Sequence, residues 1–113
     1  MNPVLIPAES IATVDLLLGQ ATMLTADRFD DVAAMIQEAM GIALLMAATH
    51  PTDRPVEVPG LAGLDALGCI DQAFREAQSW DLALAVDLPD MTRLRVLLAD
   101  VRPELDAAMG PRE

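Results

Sequence analysis

From Ala39 to Thr49 the chain runs AMGIALLMAAT without one charged residue. A helix over this stretch is apolar nearly all round, and such a helix must be covered on more than one side. A membrane could supply the cover, but Gln37 and Glu38 precede the run and Pro51 follows it. About a dozen residues remain where a span needs about 20. No membrane span is expected, so the cover has to come from other helices.

Hydrophobic spacing supplies them. After Pro7, the residues Val14, Leu17, Leu18, Ala21 and Leu24 recur at helical intervals and predict a first helix from about Ala8 to Met23. In LTADRFDD, Thr25 or Asp27 can cap a new N-terminus, with Asp30 and Asp31 at its positive pole. The second helix then runs from about Asp27 to Thr49, with Val32, Ala33, Ile36, Ala39, Met40 and Ala43 on one face. So short a connection makes the two an antiparallel hairpin.

Three prolines in HPTDRPVEVPG forbid a continuous helix and predict an ordered linker over about residues 50–60, crossing the end of the bundle. A third helix is expected from Gly60 or Leu61, with Leu67, Ile70, Ala73, Phe74 and Ala77 on its apolar side, until the phase fails at Ser79. The next piece, WDLALAVDLP, alternates like a strand. Only the short PVEVP could pair with it, and a two-stranded ribbon is marginal in water, so a short helical turn is the expectation. A last helix from about Pro89 to Met109 aligns Leu94, Leu97, Leu98, Val101, Leu105 and Ala108, with Pro103 facing outward. The fold expected is all-α: one domain over residues 1–113, a compact four-helix bundle with a proline-rich linker between two helical hairpins.

Composition narrows the function classes. The formal net charge is −11, all seven basic residues are arginine, and residues 1–24, 25–50, 51–88 and 89–113 are each net acidic. That field repels nucleic acid and anionic lipid. The single cysteine, Cys69, rules out an internal disulfide, and MNPVLIPAES lacks the positive segment of a secretory signal, so a cytoplasmic location is expected. Abundant alanine without any lysine is the composition of a GC-rich, bacterial coding sequence.

Candidate chemistry is sparse. His50, the only histidine, ends the second helix with no cysteine or second histidine nearby, which suits a helix terminus better than a metal site. With Asp53 and Arg54 it forms the one constellation an enzyme could be built on. Asp27, Asp31 and Glu38 share a stripe, but no Glu-x-x-His pattern accompanies them, so a solvated face is the reading. Arg95 and Arg102, with Asp106 beside them, form a surface cluster able to make polar contacts with an acidic partner. Cys69 reads as a small buried hydrophobe. The glycines Gly60, Gly63 and Gly68 do not follow a strand and make no phosphate loop. No enzyme, cofactor or metal is expected.

One pattern exceeds what a plain bundle needs. Apolar residues make up 53% of the chain, against about 45–50% in ordinary proteins. A second apolar stripe also lies beside the main faces of the first two helices: Leu16 and Met23 on the first, Met35, Ile42, Leu45 and Met46 on the second. Methionine-rich apolar stripes adapt to partners. The expectation is a non-enzymatic protein–protein interaction module of adaptor, inhibitor, immunity, antitoxin or chaperone type, forming a homodimer through Met35, Ile42 and Met46. The competing structural reading is that the third and fourth helices cover both faces within one chain. The alternative function is a small apolar-ligand sensor or carrier, with a methionine-lined pocket between helices closed by Trp80.

Overall fold

The structure, a computed structural model, describes residues 8–26, 29–52, 55–80 and 89–110. It is an all-α bundle of α1 (Ala8–Thr25), α2 (Asp30–Thr49), α3 (Ala66–Gln78) and α4 (Pro89–Met109), with a 3₁₀ turn at Leu61–Gly63. The piece expected as a short helical turn between Trp80 and Pro89 lies outside the described residues, as do Asp27, Asp53 and Arg54.

The helix ends show where local chemistry decides. No side chain caps α2: Phe29 holds that position in the left-handed region, at φ 54° and ψ 54°. A non-glycine residue there costs ~1 kcal/mol or more. Phe29 packs against the core, and its carbonyl accepts the Ala33 N–H at 2.8 Å, which holds it in place. Thr25, a candidate cap from the sequence, is instead buried and donates back to the Ala21 carbonyl at 2.8 Å. The start of α3 also moves, from Gly60 or Leu61 to Ala66, because Asp65 accepts the Gly68 N–H at 2.7 Å and caps the helix there. At the far end of α4, Gly110 takes φ +74° and stops the helix, while Pro103 stays exposed within it.

Two polar contacts orient the bundle. Ser10, in the first turn of α1, accepts the Trp80 indole N–H at 2.7 Å and donates to Glu76 Oε1 at 2.7 Å. The end of α3 therefore lies beside the start of α1. The short connection brings the end of α2 to the same level. Each helix packs on two neighbours: α1 and α4 both touch α2 and α3. Hence α2 and α3 stand at opposite corners and point the same way.

This corrects the expected course of the linker. A chain leaving the end of α2 must travel the length of the bundle to begin α3, so it runs alongside the helices and does not cross their end. Gln20 reaches the Leu61 carbonyl at 3.5 Å, and Val58, Leu61 and Leu64 pack against the core on the way. The core itself includes Ile11, Leu17, Leu18, Ile36, Ile70, Met91, Leu94, Leu98 and Leu105, all fully buried. Leu24 and Ala108, expected on inner faces, are exposed, and Cys69 is fully buried on α3.

Trp80 is 3% exposed and belongs to this core. Replacing Ser10 by Ala leaves the indole N–H buried without its acceptor, which should cost about 1–3 kcal/mol. Urea unfolding followed by the fluorescence of this single tryptophan measures it. An unchanged midpoint would show that the α1–α3 clasp adds nothing.

Candidate functional site

The structure divides the second stripe. Ile42 and Met46 are buried at 8% and 4% exposure, and Met35 is half-buried against the core. They lie on the side of α2 that α4 covers, the side on which Glu38 pairs with Arg93 of α4. Leu16, Met23 and Leu45 remain exposed, Met23 at 72%. The homodimer contact expected through Met35, Ile42 and Met46 is thus not open, because the chain's own fourth helix occupies that side. Replacing Ile42 by Asp should bury a carboxylate in the core and cost about 4 kcal/mol or more, abolishing the folded state instead of releasing folded monomers. A variant that keeps native helicity by circular dichroism would contradict the packing.

What stays open is the outer face of the α1–α2 hairpin. On α2 the exposed residues Ala34, Gln37, Gly41, Leu44, Leu45 and Ala48 carry no charge. Beside them, an open groove of about 430 Å³ passes over Gly19 of α1. Its apolar walls come from Leu16 and Met23 of α1, Met40 and Leu44 of α2, and Leu61 of the linker. Sequence reasoning found Leu16 and Met23 but not Leu44, which the helical phase places near the α1 contact and the fold leaves 48% exposed.

Three polar residues also line this groove. Gln20 is turned to the Leu61 carbonyl. The Thr22 hydroxyl donates to the Leu18 carbonyl at 2.7 Å and lies 3.3 Å from the Met40 sulfur. Asp15 differs: its Oδ1 is closed off from water with no hydrogen-bond partner. Burial pushes its carboxyl pKa above the ordinary 3.8.

That shift has a definite sign. The folded state holds the proton more tightly than the unfolded chain, so the contribution to stability is full below about pH 3.8 and is lost as pH rises through the raised value. An Asp15→Asn variant should therefore gain on wild type between about pH 3 and about pH 6. Urea midpoints of both proteins at the two pH values test this, and a pH-independent difference would refute it.

Gly19 and Gly41 are the other unusual feature of this face. Glycine inside a helix costs about 1 kcal/mol relative to alanine. At neither position would a Cβ meet any atom within 4 Å, and neither needs a left-handed backbone. The bundle's own packing does not require either glycine.

The remaining sequence candidates are committed to structure. His50 ends α2: its N–H donates to the Met46 carbonyl at 2.9 Å, and its Nδ1 lies 3.2 Å from the same oxygen. Arg102 bonds Asp71 at 2.7 Å and lies 4.7 Å over the Phe74 ring, tying α4 to α3, while Arg75 holds the same Asp71 at 3.1 Å. Arg95 is half-buried on α4 and Asp31 is exposed. A second concavity, about 580 Å³ between α3 and α4, is lined by Asp65, Asp71, Arg102 and Asp106. Two of its three carboxylates already serve the cap and the ion pairs. Cys69 is fully buried, and burial with the nearby Asp65 charge pushes its thiol up to about 11, so it stays protonated at neutral pH. Among the described residues, no three His, Cys, Asp or Glu side chains converge to hold a metal ion.

By length and composition alone, the whole of α2 would suffice to cross a membrane, a threshold its uncharged run misses. In this fold it serves as a core helix between α1 and α4. No protein-family model, curated protein or solved structure matches the chain.

Proposed function

We propose that this protein is a non-enzymatic protein–protein interaction module of the bacterial cytoplasm, of adaptor, inhibitor, antitoxin or chaperone type, acting through the outer face of its α1–α2 hairpin. The observation that carries this reading is the set of large apolar side chains left in water there: Leu16, Met23, Leu44 and Leu45. A helix surface is ordinarily kept soluble by charge, and contiguous exposed apolar area marks association sites. This chain has 18 acidic residues to distribute, yet α2 carries none after Glu38, and Gly41, Leu44, Leu45 and Ala48 stand in water with no charge among them. Of the contact surface expected from the sequence, Leu16, Met23 and Leu45 stay in water and Leu44 joins them, while Ile42 and Met46 belong to the core.

The small-ligand reading has less support. Met46, Met91 and Trp80 are buried in the core, and the groove over Gly19 is open to solvent. Replacing Leu16, Met23 and Leu44 together by Ser should leave helicity and thermal stability nearly unchanged, since these side chains are exposed. Affinity capture from the source cell should then lose the protein that wild type retains. Recovery of the same protein by both would overturn the proposal.

A further inference from the structure

We infer that the groove over Gly19 receives a cationic amphipathic helix of a partner protein, with its small apolar side against Gly19 and a Lys or Arg against the Asp15 carboxylate. The inference rests on reading the α1–α2 face as an interaction surface, and it names the chemistry of the partner.

Three observations converge on it. The first is steric: Gly19 lies in the groove, and the space a side chain would take there is empty. Glycine without a backbone reason marks a place where another backbone comes close. The second is electrostatic. Asp15 is the acidic residue lining the groove, Gln20 and Thr22 are bonded within the chain, and among the described residues no Lys or Arg lines it. A cation seated in the groove would face this carboxylate, and the net charge of −11 draws such a partner in. A second copy of this chain would bring the same −11 and a second Asp15. The third concerns the kind of element. Two of its walls are helices whose backbone groups are already bonded and the third, at Leu61, is a 3₁₀ turn, so the groove offers no strand edge to extend. Side-chain packing is what the face offers, which is how a groove takes up an amphipathic helix.

The test uses the full chain and a synthetic peptide of about 20 residues with Ala and Leu on one helical face and Lys along its flanks. Two further peptides carry Glu or Gln in place of Lys. The Lys peptide should bind and shift amide resonances of α1 and α2, including Gly19. Gly19→Leu should weaken it at least about tenfold with a thermal midpoint no lower than wild type, because leucine fills the groove while favouring helix. Asp15→Asn should weaken the Lys peptide and leave the Gln peptide unaffected.

Equal binding of the Glu peptide would overturn the inference, as would shifts confined to the acidic concavity between α3 and α4. A wild-type dimer dissociated by Gly19→Leu would overturn it in favour of self-association. Retention on phosphatidylcholine vesicles, lost in Gly19→Leu, would overturn it in favour of lipid. If the Leu16, Met23 and Leu44 triple variant loses its cellular partner while the Lys peptide fails to bind, the cationic helix is wrong and the interaction surface stands. If that triple variant keeps its partner, the surface itself is wrong.

Discussion

The breadth of apolar surface on α2 is the constraint that arranges everything else. Its buried and half-buried residues, from Val32 and Ile36 through Ile42 and Met46 to Met40 and Ala47, span about half of the helical circumference. One neighbouring helix covers roughly a third of a circumference, so α2 needs two. It has α1 on one side and α4 on the other. With both adjacent corners taken, α3 goes to the opposite corner, and the linker must run the length of the bundle to reach it. The Ser10 clasp to Glu76 and Trp80 then closes the ring between α1 and α3.

Helical content was legible from the amino-acid sequence because spacing of Leu, Ile, Val and Ala reports which face is buried without reference to the partner. The last helix, from Pro89 to Met109, coincides with its expected bounds, and the phase failure at Ser79 coincides with the end of α3. Three things were not legible, each for a physical reason. The left-handed Phe29 is held by core packing, which no local signal announces, since Thr25 and Asp27 are the better caps by chemistry alone. The route of the linker depends on which corners α3 and α4 take, a choice between arrangements that bury similar faces. The second stripe was ambiguous for the same reason: Ile42 and Met46 look alike whether α4 or another molecule covers them.

Electrostatics contributes to the architecture unevenly. Most of the acidic residues sit in water, where isolated ion pairs add little. The Arg75–Asp71–Arg102 group differs in that Arg102 also lies over Phe74, so its loss would remove packing as well as charge. Sequence spacing identified Arg102 as a residue worth naming but assigned it outward, toward an acidic partner. Its true neighbour, Asp71, is one helix away and distant in sequence, beyond the reach of any argument from spacing on a single helix.

The features that do not serve folding gather on one hairpin. Exposed Leu16, Met23 and Leu44, the helical glycines Gly19 and Gly41, and the partnerless Asp15 oxygen each lower the stability of the isolated chain or leave it unimproved. Scattered over the surface, they would be the ordinary imperfections of a marginally stable protein. Their concentration on the outer side of α1 and α2, whose inner sides supply Ile11, Leu17, Leu18 and Ile36 to the core, sets that outer side apart from the capped α3. The long linker reinforces the division. By placing Leu61 beside Gly19, it turns the outer face of α1 from a convex ridge into one wall of a groove, and a groove can hold a helix where a ridge cannot.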